Sequence, residues 1–276
     1  MSVPVALIDG VVGEHISVRE RGLHYGDGLF ETIACTAARP RLLELHLARL
    51  ARGCERLHIP APEMPLLKAE IERLANGAER SVVKVLLLRG IARQRGYAPG
   101  GEVPSRVLLS YPWPQAPPLE GGGVRVRLAQ LRLGENPQLA GLKHCNRLEQ
   151  VLARAEWTDP AIAEALLFSS GGALIGGTAS NVFLVRDGRL LTPALERCGV
   201  AGVMRATVLD LAPRAGIACE VANLGAQDLE AAHEVFLTSA LIGVRPVTWL
   251  EGRRLAAGPV THALQAALAA RLGEAP

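Results

Sequence analysis

The chain has 276 residues, 49% of them hydrophobic, and a formal net charge of +3. That length and apolar content can bury a large core, as two domains or one large one. The small charge, with arginines scattered among Glu and Asp, argues against nucleic-acid and membrane-surface partners. Five cysteines without a C-x-x-C pair read as reduced thiols of a cytoplasmic protein. The histidines lack the spacing of a metal site, and neither a secretory leader nor a bilayer-length apolar run is evident.

In chain order, "VPVALIDGVVGEHISV" predicts two short strands turning at Asp9-Gly10. A loop "RERGLHYGDG" and a β-rich "LFETIACT" follow. Leu43, Leu47, Leu50 and Leu57 fall at helical spacing, and a second helix begins near Pro65. "SVVKVLLLRG" and "RVLLSY" read as buried strands. The proline- and glycine-rich "YPWPQAPPLEGGG", residues 111–123, is the natural place for a break. It gives a smaller α/β domain over residues 1–113, a linker over 114–122 and a larger α/β domain over 123–276.

Beyond the linker, "VRVRLAQLRL" has strand periodicity and "NRLEQVLARAEW" is helical. Strands follow at "EALLFSS", at "NVFLVRDGRLLTP" as a hairpin about Asp187-Gly188, and at "ACEVA", "EVFLTSA" and "VRPVTWL". Helices at "GVMRATVLDLAPRAG" and "THALQAALAARL" interrupt them, a mixture of the α/β or α+β class.

Of 30 basic residues only Lys68, Lys84 and Lys143 are lysine. Asn146 and Glu149 are spaced as a capping box, and Leu148, Val151, Leu152 and Ala155 form one apolar face, so a helix starts near residue 147. Lys143 then lies in the connection between a strand ending near Leu133 and that helix, where side chains point into a cleft. A desolvated lysine amine can attack a carbonyl to form a Schiff base, which an arginine cannot do. A surface lysine is the commoner explanation, and Lys68 fits it. Gly199 and Gly202 precede a helix whose Val208, Leu211, Ala212 and Ala215 face inward, an approach suited to phosphate. Arg49, in "HLARL", is a further phosphate-gripping candidate.

"GLKHCNRLEQVLARAEW" closely resembles the lysine segment of the aminodeoxychorismate lyases, a branch of the fold type IV pyridoxal-phosphate enzymes that also include D-amino acid and branched-chain aminotransferases. "RGLHYGDGLFET", "HLARL", "RGYAP", "TASNVFLV", "GVAGVMR" and "LTSALIGVRPV" occur in the family's order along nearly the whole chain. The resemblance implies a two-domain D-amino acid aminotransferase-like fold, α/β (α+β), with pyridoxal 5'-phosphate between the domains. It makes Lys143, in the larger C-terminal domain, the Schiff-base lysine and acid/base. Arg49, the backbone N–H groups of Val203 and Met204, and Ser239 would hold the cofactor phosphate, and Asn181 would orient groups behind it. Tyr25, Arg95 (or Arg93) and Tyr97 would line the substrate pocket, and a homodimer partner would help close each site. The implied reaction converts 4-amino-4-deoxychorismate to 4-aminobenzoate and pyruvate, toward folate.

One position departs from the family pattern. Gly176 stands where a glutamate would pair with the cofactor's pyridine nitrogen, and Glu164, twelve residues upstream on another predicted strand, offers no obvious substitute. A ring without that carboxylate is a poorer electron sink. Transamination needs that sink fully, whereas the lyase reaction gains driving force from aromatisation of its substrate. The lyase therefore leads. A D-amino acid or branched-chain aminotransferase, and a cofactor-binding protein with impaired catalysis, are the alternatives.

Overall fold

The structure is a computed structural model that describes residues 5–76, 78–115 and 119–273. The chain forms two units. One holds the residues up to Pro114 together with Leu142–Asn146; the other holds Gln115–Gly141 and the residues from Arg147 on. Within the predicted linker, residues 116–118 lie outside the described residues.

The first unit runs β1 (Ala6–Ile8), β2 (Val11–Val12), α1 (Arg21–Tyr25), β3 (Gly28–Thr36), β4 (Arg39–Pro40), α2 (Leu43–Leu57), α3 (Met64–Ala75), β5 (Arg80–Leu88) and β6 (Ser105–Pro112). Its sheet is antiparallel in the order β2-β1-β6-β5-β3-β4. Asp9 at φ 50° and Gly10 at φ 86° supply the two left-handed residues that a tight hairpin turn needs. Leu47 and Leu50 of α2 and Leu67, Ile71 and Leu74 of α3 share a buried cluster with Leu29, Ile33, Val83, Val85, Leu87 and Leu108. Successive strand residues point to opposite faces, so this core claims one face of β3 and leaves Phe30 on the other.

The second unit runs β7 (Val124–Leu133), α4 (Leu148–Arg154), β8 (Ile162–Ser169), β9 (Leu174–Gly177), β10 (Asn181–Arg186), β11 (Arg189–Pro193), α5 (Val203–Arg214), β12 (Cys219–Ala222), α6 (Ala226–Glu230), β13 (Glu234–Ser239), β14 (Gly243–Leu250), β15 (Arg253–Arg254) and α7 (Pro259–Leu272). Its mixed sheet has the order β12-β11-β10-β13-β14-β7-β8-β9, with β15 on β14. The pairs β7–β8, β7–β14 and β11–β12 are parallel. Val126, Leu166, Val182, Leu184, Leu237 and Val247 form a core, and α5 and α7 pack on β13 and β14.

Several local expectations change. The loop "RERGLHYGDG" contains helix α1, capped by Glu20 at one end and by left-handed Gly26 at the other. Helix α4 starts where the spacing predicts, but Arg147 is its N-cap and no side chain caps it. The expected capping box does not form, because both its members have remote partners. Asn146 donates to the Gly26 carbonyl at 3.1 Å, and Glu149 accepts from the Gly134 N–H at 2.7 Å. The apolar face of α4 stays outside the core: Leu148, Val151 and Leu152 are 76, 60 and 61% exposed. On α5, Val208, Leu211 and Ala212 are buried as expected, whereas Ala215 is the exposed C-cap.

Candidate active site

The segment carrying Lys143 is held on the first unit by strand-like bonds to β3. Phe30 N–H donates to the Lys143 carbonyl and Cys145 N–H to the Gly28 carbonyl, both at 2.9 Å, and Leu29 bridges His144 antiparallel. These pairings group residues 142–146 with the first unit. Gly26 makes room for the end of the segment, since a Cβ there would stand 2.5 Å from Asn146 Oδ1.

Lys143 is half-buried, with its Nζ 4.0 Å from the centroid of the Phe30 ring. Lys84, on β5, brings its Nζ to 5.7 Å from the same ring. Two of the three lysines therefore meet one aromatic side chain. Sequence reasoning noticed Lys84 only as a member of that scarce set; its pairing register, Thr32 opposite Lys84 beside Phe30, is what reveals it. Lys68, in contrast, pairs with Glu44 at an exposed site.

On the opposite face of β3, Glu31 is 2% exposed and points at α2. His46 Nδ1 lies 2.7 Å from Glu31 Oε2, Arg49 Nε donates to Oε1 at 2.8 Å, and Arg49 Nη2 also reaches Oε2. Burial opposes the charge on Glu31, but the bonds from His46 and Arg49 outweigh it and hold the carboxyl at about 2. Glu31 and His46 were missed by sequence reasoning, because only folding brings a strand carboxylate to a helix 15 residues on. The consequence for Arg49 is a guanidinium whose plane is set by a two-point bond.

Tyr25 ends α1, and its ring lies 5.3 Å from that of Tyr97. Tyr97 is 84% exposed, and Arg93 and Arg95 are also exposed on the same loop. Cys145 is intermediate in exposure, whereas burial pushes the thiols of Cys35 and Cys219 up and those of Cys54 and Cys198 up to about 11.

In the second unit, Gly202 is the N-cap of α5, and no side chain caps Val203 or Met204. Asn181, at the start of β10, donates through Nδ2 to the Val200 carbonyl at 2.8 Å, and its Oδ1 would meet a Cβ on residue 202 at 2.0 Å. Glycine at 202 thus lets Asn181 brace the approach to the helix, whose leading N–H groups and dipole favour an anion. Ser239 ends β13, and its Oγ accepts from Ile242 N–H at 3.3 Å, so the hydroxyl can still donate.

Gly176 is a buried residue of β9, opposite Leu167 of β8. A Cβ at 176 would stand 2.8 Å from the Ser180 carbonyl oxygen, which bonds the Gly177 N–H at 2.8 Å. The sequence distance of Glu164 proves misleading, because β8 and β9 are neighbours. Its carboxylate accepts from Thr178 N–H at 3.0 Å and Oγ1 at 2.5 Å, Ala179 N–H at 3.1 Å and Ser180 Oγ at 2.9 Å, and from Ala165 N–H. A carboxylate does serve the turn after β9, but as its internal scaffold.

Comparison with known proteins adds family information. The family model described as amino-transferase class IV matches residues 28–250. The aminodeoxychorismate lyase of Vibrio harveyi is 33% identical over 243 residues, covering 87% of this chain and 89% of that protein. A crystal structure of 4-amino-4-deoxychorismate lyase from Pseudomonas aeruginosa superposes with a TM-score of 0.92 at 44% identity, covering 97% of this chain and 99% of that one. The branched-chain aminotransferase of the thermophilic archaeon Thermoproteus uzoniensis, in a structure with norvaline, gives a TM-score of 0.86 at 25% identity, with 98% and 95% covered.

Proposed function

The chain belongs to the amino-transferase class IV family, and on that footing we propose that it is a pyridoxal-phosphate-dependent lyase. It converts 4-amino-4-deoxychorismate to 4-aminobenzoate and pyruvate, as its similarity to aminodeoxychorismate lyases supports. The observation that carries the reading is the placement of Lys143. A scarce amine is fixed by backbone bonds on β3, half-buried against Phe30, where an arginine could not do the same chemistry.

Each unit by itself offers groups of a kind that suits the cofactor: the first an amine for an aldehyde and a guanidinium of fixed plane, the second an uncapped helix start of the sort that binds phosphate. When bound, pyridoxal phosphate withdraws electrons from the substrate carbon attached to the captured nitrogen. Lys143 Nζ would hold the cofactor through its aldehyde and could serve as the acid/base beside the substrate. Arg49, the N–H groups of Val203 and Met204, and Ser239 take the phosphate, and Asn181 holds the start of α5 in place. Tyr25, Tyr97 and Arg95 meet the substrate, and Lys84 adds a positive charge beside Lys143 that suits a substrate carboxylate. The working unit in this reading is a homodimer in the cytoplasm, with the exposed Leu148, Val151 and Leu152 of α4 covered in the pair. Among the described residues, no helix is long and apolar enough to cross a membrane.

Gly176 favours a second reading, a cofactor-binding protein of weak catalysis, because β9 presents no side chain where the family carries a carboxylate. One preparation separates the readings. Borohydride fixation should leave a pyridoxyl group on the peptide containing Lys143, and the untreated protein should release pyruvate from aminodeoxychorismate. Fixation without turnover selects the second reading, and absence of fixation at Lys143 defeats both. Lys143→Arg should abolish fixation and activity together.

A further inference from the structure

We propose that Arg21 is the positioning residue of the substrate loop, binding three consecutive carbonyls of that loop and fastening them through Asp27 and Arg89 to the end of α2. The inference rests on the proposed role of the loop in meeting substrate.

Residues 92–104 form neither helix nor strand and carry the exposed Arg93, Arg95 and Tyr97. Such a segment holds one shape only if its peptide groups have partners. Arg21, 3% exposed, supplies them. Its Nη1 donates to the carbonyls of Gly96 at 3.1 Å and Ala98 at 3.5 Å, and its Nη2 to that of Tyr97 at 2.8 Å. Its Nε donates to Asp27 Oδ2 at 2.9 Å, and its guanidinium carbon lies 5.1 Å from the centre of the Tyr25 ring. One planar fork thus serves the loop, a half-buried carboxylate and an aromatic ring. A lysine lacks the donors to do so.

Asp27 passes the restraint on. The same Oδ2 accepts from Arg89 Nε at 2.7 Å, and Arg89 donates to the carbonyls of His58 and Leu57, both at 2.8 Å. Leu57 is the last residue of α2, the helix that carries Arg49. Burial works against the Asp27 charge, but the bonds from Arg89 and Arg21 prevail and hold the carboxyl below its ordinary range. Beside this network, Glu20 accepts from Gly90 N–H at 2.9 Å and Ser105 Oγ at 2.8 Å, closing the base of the loop. The tip alone depends on Arg21.

The test is Arg21→Lys, which keeps the charge facing Asp27. Arg93 and Arg95 are exposed and can report on the loop through trypsin: held by Arg21 the native loop should resist nicking, and the variant should be cut there at least about tenfold faster. In the lyase assay KM should rise about tenfold with kcat little changed, a split that general destabilisation would not produce. Fixation of the cofactor at Lys143 should be unaltered. Equal nicking rates would overturn the proposal. Faster nicking with an unchanged KM would overturn the positioning role while leaving the reaction standing. Should the wild-type protein lack lyase turnover, the proposed reaction falls, and nicking rates alone decide whether Arg21 anchors the loop. If Arg21→Lys does not fold, Arg21→Gln takes its place with the same readings.

Discussion

Glu31 in the first unit and Glu164 in the second are both buried carboxylates, yet they are satisfied by opposite means. Glu31 meets charge with charge through Arg49 and bonds the His46 ring besides. Glu164 is met by N–H and O–H groups of the Thr178–Ser180 turn, all of them neutral. A buried ion pair is unforgiving when one member is lost, because the other stays behind uncompensated. A carboxylate in a cage of neutral donors can be replaced by an amide at lower cost, since each bond is worth less. The first arrangement fixes the plane of a cation proposed to hold phosphate, and the second fixes a stretch of backbone.

The largest expected effect therefore falls on Glu31. Glu31→Gln should lose about 3–5 kcal/mol of unfolding free energy, read from urea denaturation at neutral pH. Its carboxyl is held at about 2, below the ordinary 4.5, so its contribution is complete above the ordinary value and disappears as pH falls through about 2. The gap between wild type and variant should accordingly be constant from about pH 5 upward and narrow in acid; a gap that widened in acid would refute the ion-pair account. Glu164→Gln should cost less, about 1–3 kcal/mol, because its partners are neutral; the cost that remains comes from an amide NH2 facing donors of the turn. Equal losses at the two sites would erase the contrast. The smallest effect is expected at Gly177, where a Cβ would meet the Ser180 Oγ at 2.2 Å and Glu164 Cδ at 2.8 Å. Both side chains must give way by a small shift, so Gly177→Ala should cost about 1–2 kcal/mol in the same titration.

These two sites also show what could be read before the fold was known. The Asp9-Gly10 and Asp187-Gly188 hairpins were legible because left-handed turn residues announce themselves locally, and both Asp and Gly indeed have positive φ. The longer helices were legible from period, whereas the short α1 and α6 were not, and the scarcity of lysine drew attention to Lys143 without fixing its role. Partnership across the fold was not. Lys143 pairs with a strand over a hundred residues earlier, and Glu164 reaches a turn by strand adjacency. Asn146 and Glu149 have capping-box spacing, but Gly26 and Gly134 claim them. Periodicity also identified an apolar face on α4 without saying what would cover it.

The surroundings of Cys145 have a practical consequence. Thiol reagents attack the thiolate, and burial pushes the thiols of Cys35, Cys54, Cys198 and Cys219 up, although Cys219 is itself partly accessible. Cys145 is partly accessible and two positions from Lys143 on the same strand-like segment. A small fluorophore attached there would give a ready optical monitor of ligand arrival, without engineering a new attachment point or removing the native thiols.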